Sequence, residues 1–268
     1  MLKDVQGERD IRKVPLKHVG IKNLHWPIIV KDKIKGIQHT VAEVTMAVDL
    51  PHDLRGTHMS RFVECLQDLG AVSPVALESI LDTLKDKLVA EKAMLEIEFP
   101  YFITKAAPVS KQEAFLDLHC RYRAEKAANF ELYVCVEVPI HTLCPCSKEI
   151  SRYGAHNQRA VAKVEIRAEE LVWIEELAEM AEAGASSPIY PLLKRPDEKF
   201  VTEHAYENPR FVEDVVREIA LSLEHDDRIK WYKVTVESIE SIHNHSAFAC
   251  VEKSAESNSL YADKGEYL

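Results

Sequence analysis

The chain has 268 residues, enough for one large domain or for two of about 130 residues, each with a core of its own. Its 44 Asp and Glu outnumber its 34 Lys and Arg, which excludes a general nucleic-acid-binding surface and requires a locally basic pocket for any polyanionic ligand. No run of about 18 apolar residues spans a bilayer, and the charged start MLKDVQGERDIRKVPLKHVG lacks a signal peptide's apolar stretch, so a cytoplasmic protein without membrane contact is expected.

Residues 1 to about 20 are polar and aperiodic and read as a mobile arm. From Thr40 to Leu50, Ala42, Val44, Met46 and Val48 alternate with polar residues, the pattern of a half-buried strand. Pro51 and Gly56 mark a turn, after which a helix starts near Ser60 and runs through Leu69. His58, Ser60 and Arg61 lie where turn and helix meet; they suit phosphate at a helix N-terminus, or simply an N-cap with solvated neighbours. Ser73-Pro74 opens a second helix, and the apolar stripe between Val75 and Ala93 belongs to a core. Leu95 to Ile103, Ala114 to Arg123 and Phe130 to Ile140 have the β-branched and aromatic content of strands.

In the second half, Arg159 to Ala168 alternates as a strand and Glu169 to Ala183 is helical. Residues 184–207, with Pro188, Pro191 and Pro196, read as a long irregular connection. Asn208-Pro209 caps a helix whose buried arc runs from Phe211 to Leu223, with Glu213 at its edge. Strands from Tyr232 to Glu240 and His245 to Val251 precede a polar tail. In a reducing compartment the six cysteines are thiols or ligands rather than disulfides, and Cys65, Cys120, Cys135 and Cys250 read as core packing.

Ordinary folding does not explain the stretch PIHTLCPCSKEISRYGAHNQR, residues 139–159. Cys144 and Cys146 flank a proline that biases Cys144 toward an extended backbone, and His156, Asn157 and Arg159 follow. Two thiols and an imidazole can hold a soft divalent metal with a position left open; buried thiols beside an unrelated histidine are the plainer alternative.

LCPCSKEIS followed by YGAHNQR resembles the signature of the bacterial type IB GTP cyclohydrolases. GIKNLHWPI (20–28), RGTHMSRF (55–62), KRPDEKFVTEHAYENPRFVEDVVR (194–217) and ESIESIHNHSAFA (237–249) agree with it in order, and together the segments cover nearly the whole chain. The resemblance implies hydrolysis of GTP to 7,8-dihydroneopterin triphosphate and formate, the first step of tetrahydrofolate biosynthesis. It implies a divalent cation, Zn2+ or Mn2+ with Fe2+ also admitted, held by Cys144, His156, Glu198 and either Glu240 or His243. Proton transfers fall to Cys146, His243 and His245 beside Cys144 and His156, although Cys146 and His245 suit packing equally well. Glu213 would anchor the guanine edge, and Arg61, Lys148, Arg152 and Arg159, with His58 and then Lys194 and Arg195, would meet the triphosphate.

The fold implied is α+β: two tandem tunnelling-fold units, each an antiparallel sheet with paired helices on one face, closing into an oligomeric barrel. Residues 21–140 would form the first unit and 141–268 the second, which carries most metal-site residues. A homotetramer built as a dimer of dimers, with sites at subunit interfaces, is the expected assembly. Three readings remain open beside it: an archaeal-type cyclohydrolase giving a cyclic phosphate, an NADPH-dependent nitrile reductase, and a non-catalytic purine- or metal-binding protein.

Overall fold

The computed structural model describes residues 5–67 and 69–253. In chain order the elements are β1 (Leu16–Asp32), β2 (Gly36–Leu50), α1 (Met59–Leu66), α2 (Pro74–Leu88), β3 (Ala93–Ala106), β4 (Glu113–Lys126) and β5 (Phe130–Leu143). There follow α3 (Pro145–Ile150), β6 (Asn157–Ala168), α4 (Ile174–Gly184), β7 (Ser187–Pro188), α5 (Arg195–Glu207), α6 (Val212–Glu224), β8 (Ile229–Ile239) and β9 (Ser246–Glu252). Among the described residues no helix is long and apolar enough to cross a membrane. The polar tail beyond Lys253 and the first four residues of the expected arm lie outside the described residues.

The expectation of two tandem tunnelling-fold units is overturned. All strands join one antiparallel sheet in the order β1-β2-β3-β4-β5-β6-β8-β9, with β7 beside β5. Residue 140, where the halves were to part, lies inside β5, which pairs with β6 without interruption from Val134↔Ile166 to Leu143↔Asn157. Continuous backbone pairing across that point leaves no sheet edge at which a second unit begins.

The helices cover one face. Beneath α1 and α2, Phe62, Leu66, Leu77, Leu81 and Leu84 meet Met46, Leu95 and Ile97; beneath α4 and α6, Leu177, Val215 and Ile219 meet Val138, Ala162, Val164 and Val236. Ser73 caps α2 by accepting from the Ala76 amide at 3.2 Å, Pro74 follows at a permitted first-turn position, and Val89 at φ 54° ends the helix.

β1 and α5 differ most from expectation. β1 begins at Leu16, inside the stretch read as an arm; register shifts between Leu16 and Val19 and between Ile21 and Leu24, with Asn23 at φ 59°, break the alternation that identifies a strand. Gly20 is needed there, because a Cβ would stand 1.8 Å from the Met46 carbonyl oxygen. The connection read as irregular contains α5, whose apolar stripe is thin and whose start depends on Asp197. That carboxylate accepts from the amides of Val109, Ser110 and Lys194 and from the Ser110 hydroxyl. Asn208 closes α5 rather than opening α6, which Phe211 and Asp214 cap.

The register gathers strand ends into two groups. Asp32, Gly36, Ala106, Glu113, Leu143, Asn157, Ile239 and Ser246 end or begin strands at one end of the sheet. Leu50, Ala93, Lys126, Phe130, Ala168 and Ile229 do so at the other. At the first end β4 and β5 part: their pairing stops at His119↔Glu137, and β7 takes the place beside Ile140 and His141.

Candidate functional site

Cys144 follows the last residue of β5 and is the N-cap of α3, with the extended backbone (φ −68°, ψ 117°) that a following proline favours. Its amide donates to the carbonyl of His156 at 3.1 Å, extending the β5–β6 ladder by one bond beyond Leu143↔Asn157. Thiol and imidazole therefore emerge side by side at one end of the sheet. Ser147 tightens the junction: its hydroxyl donates to the Cys144 carbonyl at 3.2 Å and accepts from the His156 amide at 3.2 Å. Because α3 begins at Pro145, Cys146 is helical and exposed and does not continue the extended backbone of Cys144.

His156 is mostly buried, its side chain 13% exposed. Its Nδ1 lies 2.9 Å from Gln158 Oε1 and 3.8 Å from Glu240 Oε2. Glu240, just beyond β8, accepts from the Ser238 hydroxyl at 3.0 Å and from Gln158 Nε2 at 3.4 Å. In the loop between β8 and β9 the His243 ring stands 6.4 Å from that of His156, edge-on, and stacks on His245 at 5.0 Å.

Arg210 donates its amide to the Leu143 carbonyl at 3.1 Å, which ties the α5–α6 connection to the residue before Cys144. Glu213 follows in the first turn of α6 and is exposed. Lys148 reaches the other side of that connection: its ammonium donates to the Tyr206 carbonyl at 2.6 Å and lies 4.4 Å from the centre of the Tyr206 ring. Arg152 and Arg159 are exposed at the same end of the sheet. Glu198 is exposed on α5, one turn before Thr202, which lines a cleft with His141, Tyr153, Asn157 and Tyr206.

Other expected residues are not brought here. His58 and Arg61 sit at the start of α1, after Leu50 and so at the opposite end of the sheet. The Arg61 guanidinium donates to the Lys87 carbonyl at the end of α2, the place where a cation completes a helix terminus. Lys194 and Arg195, by contrast, flank the start of α5, which Asp197 ties to Val109 and Ser110 at the same end of the sheet as Leu143. Cys250, expected in the core, is exposed on the edge strand β9, whereas Cys65, Cys120 and Cys135 are buried. Burial pushes the Cys135 thiol up to about 12, so it is an inert apolar filler.

Among the described residues no three His, Cys, Asp or Glu side chains converge closely enough to hold a metal ion. The donors nevertheless suit one: a thiol and an imidazole on paired backbone, with carboxylate and further imidazole groups from Glu240 and His243 beside them. Sequence reasoning missed Gln158, Thr142, Ser238 and Ser241, which surround His156 and Glu240. Gln158 had a signal, since two residues along a strand return a side chain to the same face as His156.

Comparison with known proteins agrees with the motifs. GTP cyclohydrolase FolE2 of Thermosipho africanus is 58% identical over 252 residues, covering 93% of this chain and 97% of that protein. GTP cyclohydrolase FolE2 of Thermotoga maritima is 59% identical over 252 residues, covering 94% and 97%. Among solved structures, urate oxidase of Bacillus sp. TB-90 superposes with a TM-score of 0.55 at 10% identity over 90% of this chain and 100% of that one. Uricase of Arthrobacter globiformis gives 0.50 at 9% identity over 96% and 97%. These two likenesses concern the fold alone, and they match the chain through its mostly antiparallel sheet. A family model described as type I GTP cyclohydrolase folE2 matches residues 2–249, and with relatives this similar over nearly their full length the chain belongs to that family.

Proposed function

We propose that the protein hydrolyses GTP to 7,8-dihydroneopterin triphosphate and formate, the entry into folate biosynthesis, at the end of the sheet where Cys144 and His156 meet. The observation that carries this is the 3.1 Å bond from the Cys144 amide to the His156 carbonyl, which pairs the backbone of the two residues just beyond the ends of β5 and β6. Cys144 and His156, with Glu198 and either Glu240 or His243, would hold a divalent cation. A zinc-type ion so held would supply a water with a pKa lowered to about 7 and would stabilise developing negative charge. Manganese or ferrous iron is compatible with the mixed sulfur, nitrogen and oxygen donors.

The remaining work belongs to the chain. His243 and His245, stacked at 5.0 Å, would carry protons to the ring nitrogens and away from the departing formate, and Cys146 at the exposed start of α3 would be a further carrier. Glu213 would accept from the guanine ring N–H and exocyclic amine together. Lys148, Arg152 and Arg159 would meet the triphosphate from this chain. His58 and Arg61 would do so only from a second copy, in an oligomer with shared sites that we read as a homotetramer arranged as a dimer of dimers.

Purified protein supplied with zinc or manganese should release one formate per GTP and leave a product that retains all three phosphates in a linear chain. A cyclic phosphate would mark the archaeal-type reaction instead, and no formate at all would leave a binding protein.

A further inference from the structure

Gln158 lies at the centre of a hydrogen-bond chain with only one consistent polarity. The chain ends at Glu240, whose carboxylate oxygen Oε1 accepts the Ser238 hydroxyl proton at 3.0 Å. Having given its proton to Glu240, Ser238 must accept from Thr142, whose hydroxyl lies 3.4 Å away. Thr142 in turn accepts from Gln158 Nε2 at 3.3 Å. Thr142 is 2% exposed and Ser238 is fully buried, so water does not supply an alternative donor.

The amide group of Gln158 is thereby oriented, with its NH2 toward Thr142 and Glu240 and its oxygen toward His156. Ser241 also donates its hydroxyl to that oxygen, at 3.4 Å. A carbonyl oxygen only accepts, so the imidazole nitrogen 2.9 Å from it must carry the proton.

We propose that Gln158 is a positioning residue for the reaction: backed by Thr142, Ser238 and Glu240, it holds His156 as the Nδ1–H tautomer and leaves the Nε2 lone pair free for a cation. The inference rests on the reading of His156 as a ligand given above. In the metal-free chain Glu240 lies behind this imidazole, 3.8 Å from its Nδ1. Histidine ligands are commonly fixed this way by an acceptor on the second ring nitrogen, and losing such a partner typically costs about 10–100-fold in metal affinity or activity.

The test uses the full-length protein stripped of metal and labelled with 15N-histidine, the His156 signal being the one missing from His156→Asn. The wild type should show the Nδ1–H tautomer, and Gln158→Leu should lose it. Zinc affinity, measured by competition with a chromophoric chelator, should fall about 10–100-fold in Gln158→Leu. Gln158→Met serves in place of the leucine variant if that one does not fold. An Nε2–H tautomer in the wild type overturns the proposal. So does undiminished zinc binding by Gln158→Leu while Cys144→Ala has lost it; if Cys144→Ala also binds zinc normally, the metal reading itself fails.

Discussion

The amide of Cys144 donates to the carbonyl of His156, so the bond that joins the two halves of the site is made by backbone and survives a change of either side chain. Among the described residues the Cys144 thiol itself accepts a single 3.4 Å contact, from the Ser147 amide. Cys144→Ala should therefore fold and melt close to the wild type. Its zinc content and formate release should fall by more than the roughly 10–100-fold that loss of an outer partner costs. A variant that keeps its turnover would make Cys144 a structural cap.

Glu213 stands three residues beyond Arg210, whose amide is tied to Leu143. Glu213→Gln keeps the shape and removes the charge; if Glu213 anchors the guanine edge as proposed, one of the two hydrogen bonds it would accept becomes a repulsive donor pair. Charge-assisted bonds contribute about 1.5–3 kcal/mol, which corresponds to a rise in KM for GTP of roughly 10–100-fold. Metal content should not change. Steady-state kinetics with GTP and with inosine triphosphate, which lacks the exocyclic amine, check the role: if the variant still prefers GTP as strongly as the wild type, the guanine edge is held elsewhere.

The parts of this protein that are local in sequence were legible. Strands β3 to β5 announce themselves by β-branched and aromatic content and β6 by alternation, and Cys144 and His156 lie within one short stretch that a β-hairpin closes. What depends on irregularity or on topology was not. The bulges of β1 destroy its period. The start of α5 depends on a carboxylate that reaches back to Val109 and Ser110, far away in the chain. Gln158 gains its role from Thr142 on β5 and Ser238 on β8, a relationship set by sheet order. Likewise RGTHMSRF looks like part of one site with LCPCSKEIS until the register sends the two to opposite ends of the strands.

Asp197 gives a prediction about pH. Burial alone would raise its carboxyl; the Ser110 hydroxyl and the amides of Ser110, Lys194 and Val109 override this and hold it well below its ordinary value of 3.8. A carboxyl lowered on folding adds stability that is present above the unfolded value and is lost as pH falls through the folded one. Asp197→Asn should lower the unfolding midpoint near neutral pH, because its NH2 opposes donors. The gap between variant and wild type should shrink between about pH 7 and about pH 3. Urea melts at the two pH values decide it; a gap of constant size means that charge is not what anchors α5.

The separation of Arg61 from Cys144 leads to a test of assembly. β5 has 14 residues, and at about 3.3 Å per residue a strand of that length runs roughly 45 Å, too far for an arginine side chain to cross. If Arg61 meets the triphosphate, it does so in a site whose Cys144 belongs to another copy. Arg61→Ala and Cys144→Ala should then each have low kcat/KM alone, yet regain activity when unfolded together and refolded as a mixture. With random pairing, about a quarter of the sites combine both intact residues, which sets the ceiling of recovery. Two outcomes speak against sharing. If Arg61→Ala is fully active by itself, its guanidinium serves only the Lys87 carbonyl at the end of α2. If both variants are impaired and the mixture stays inactive, Arg61 does not share a site with Cys144 and its loss acts through the Lys87 carbonyl at the end of α2.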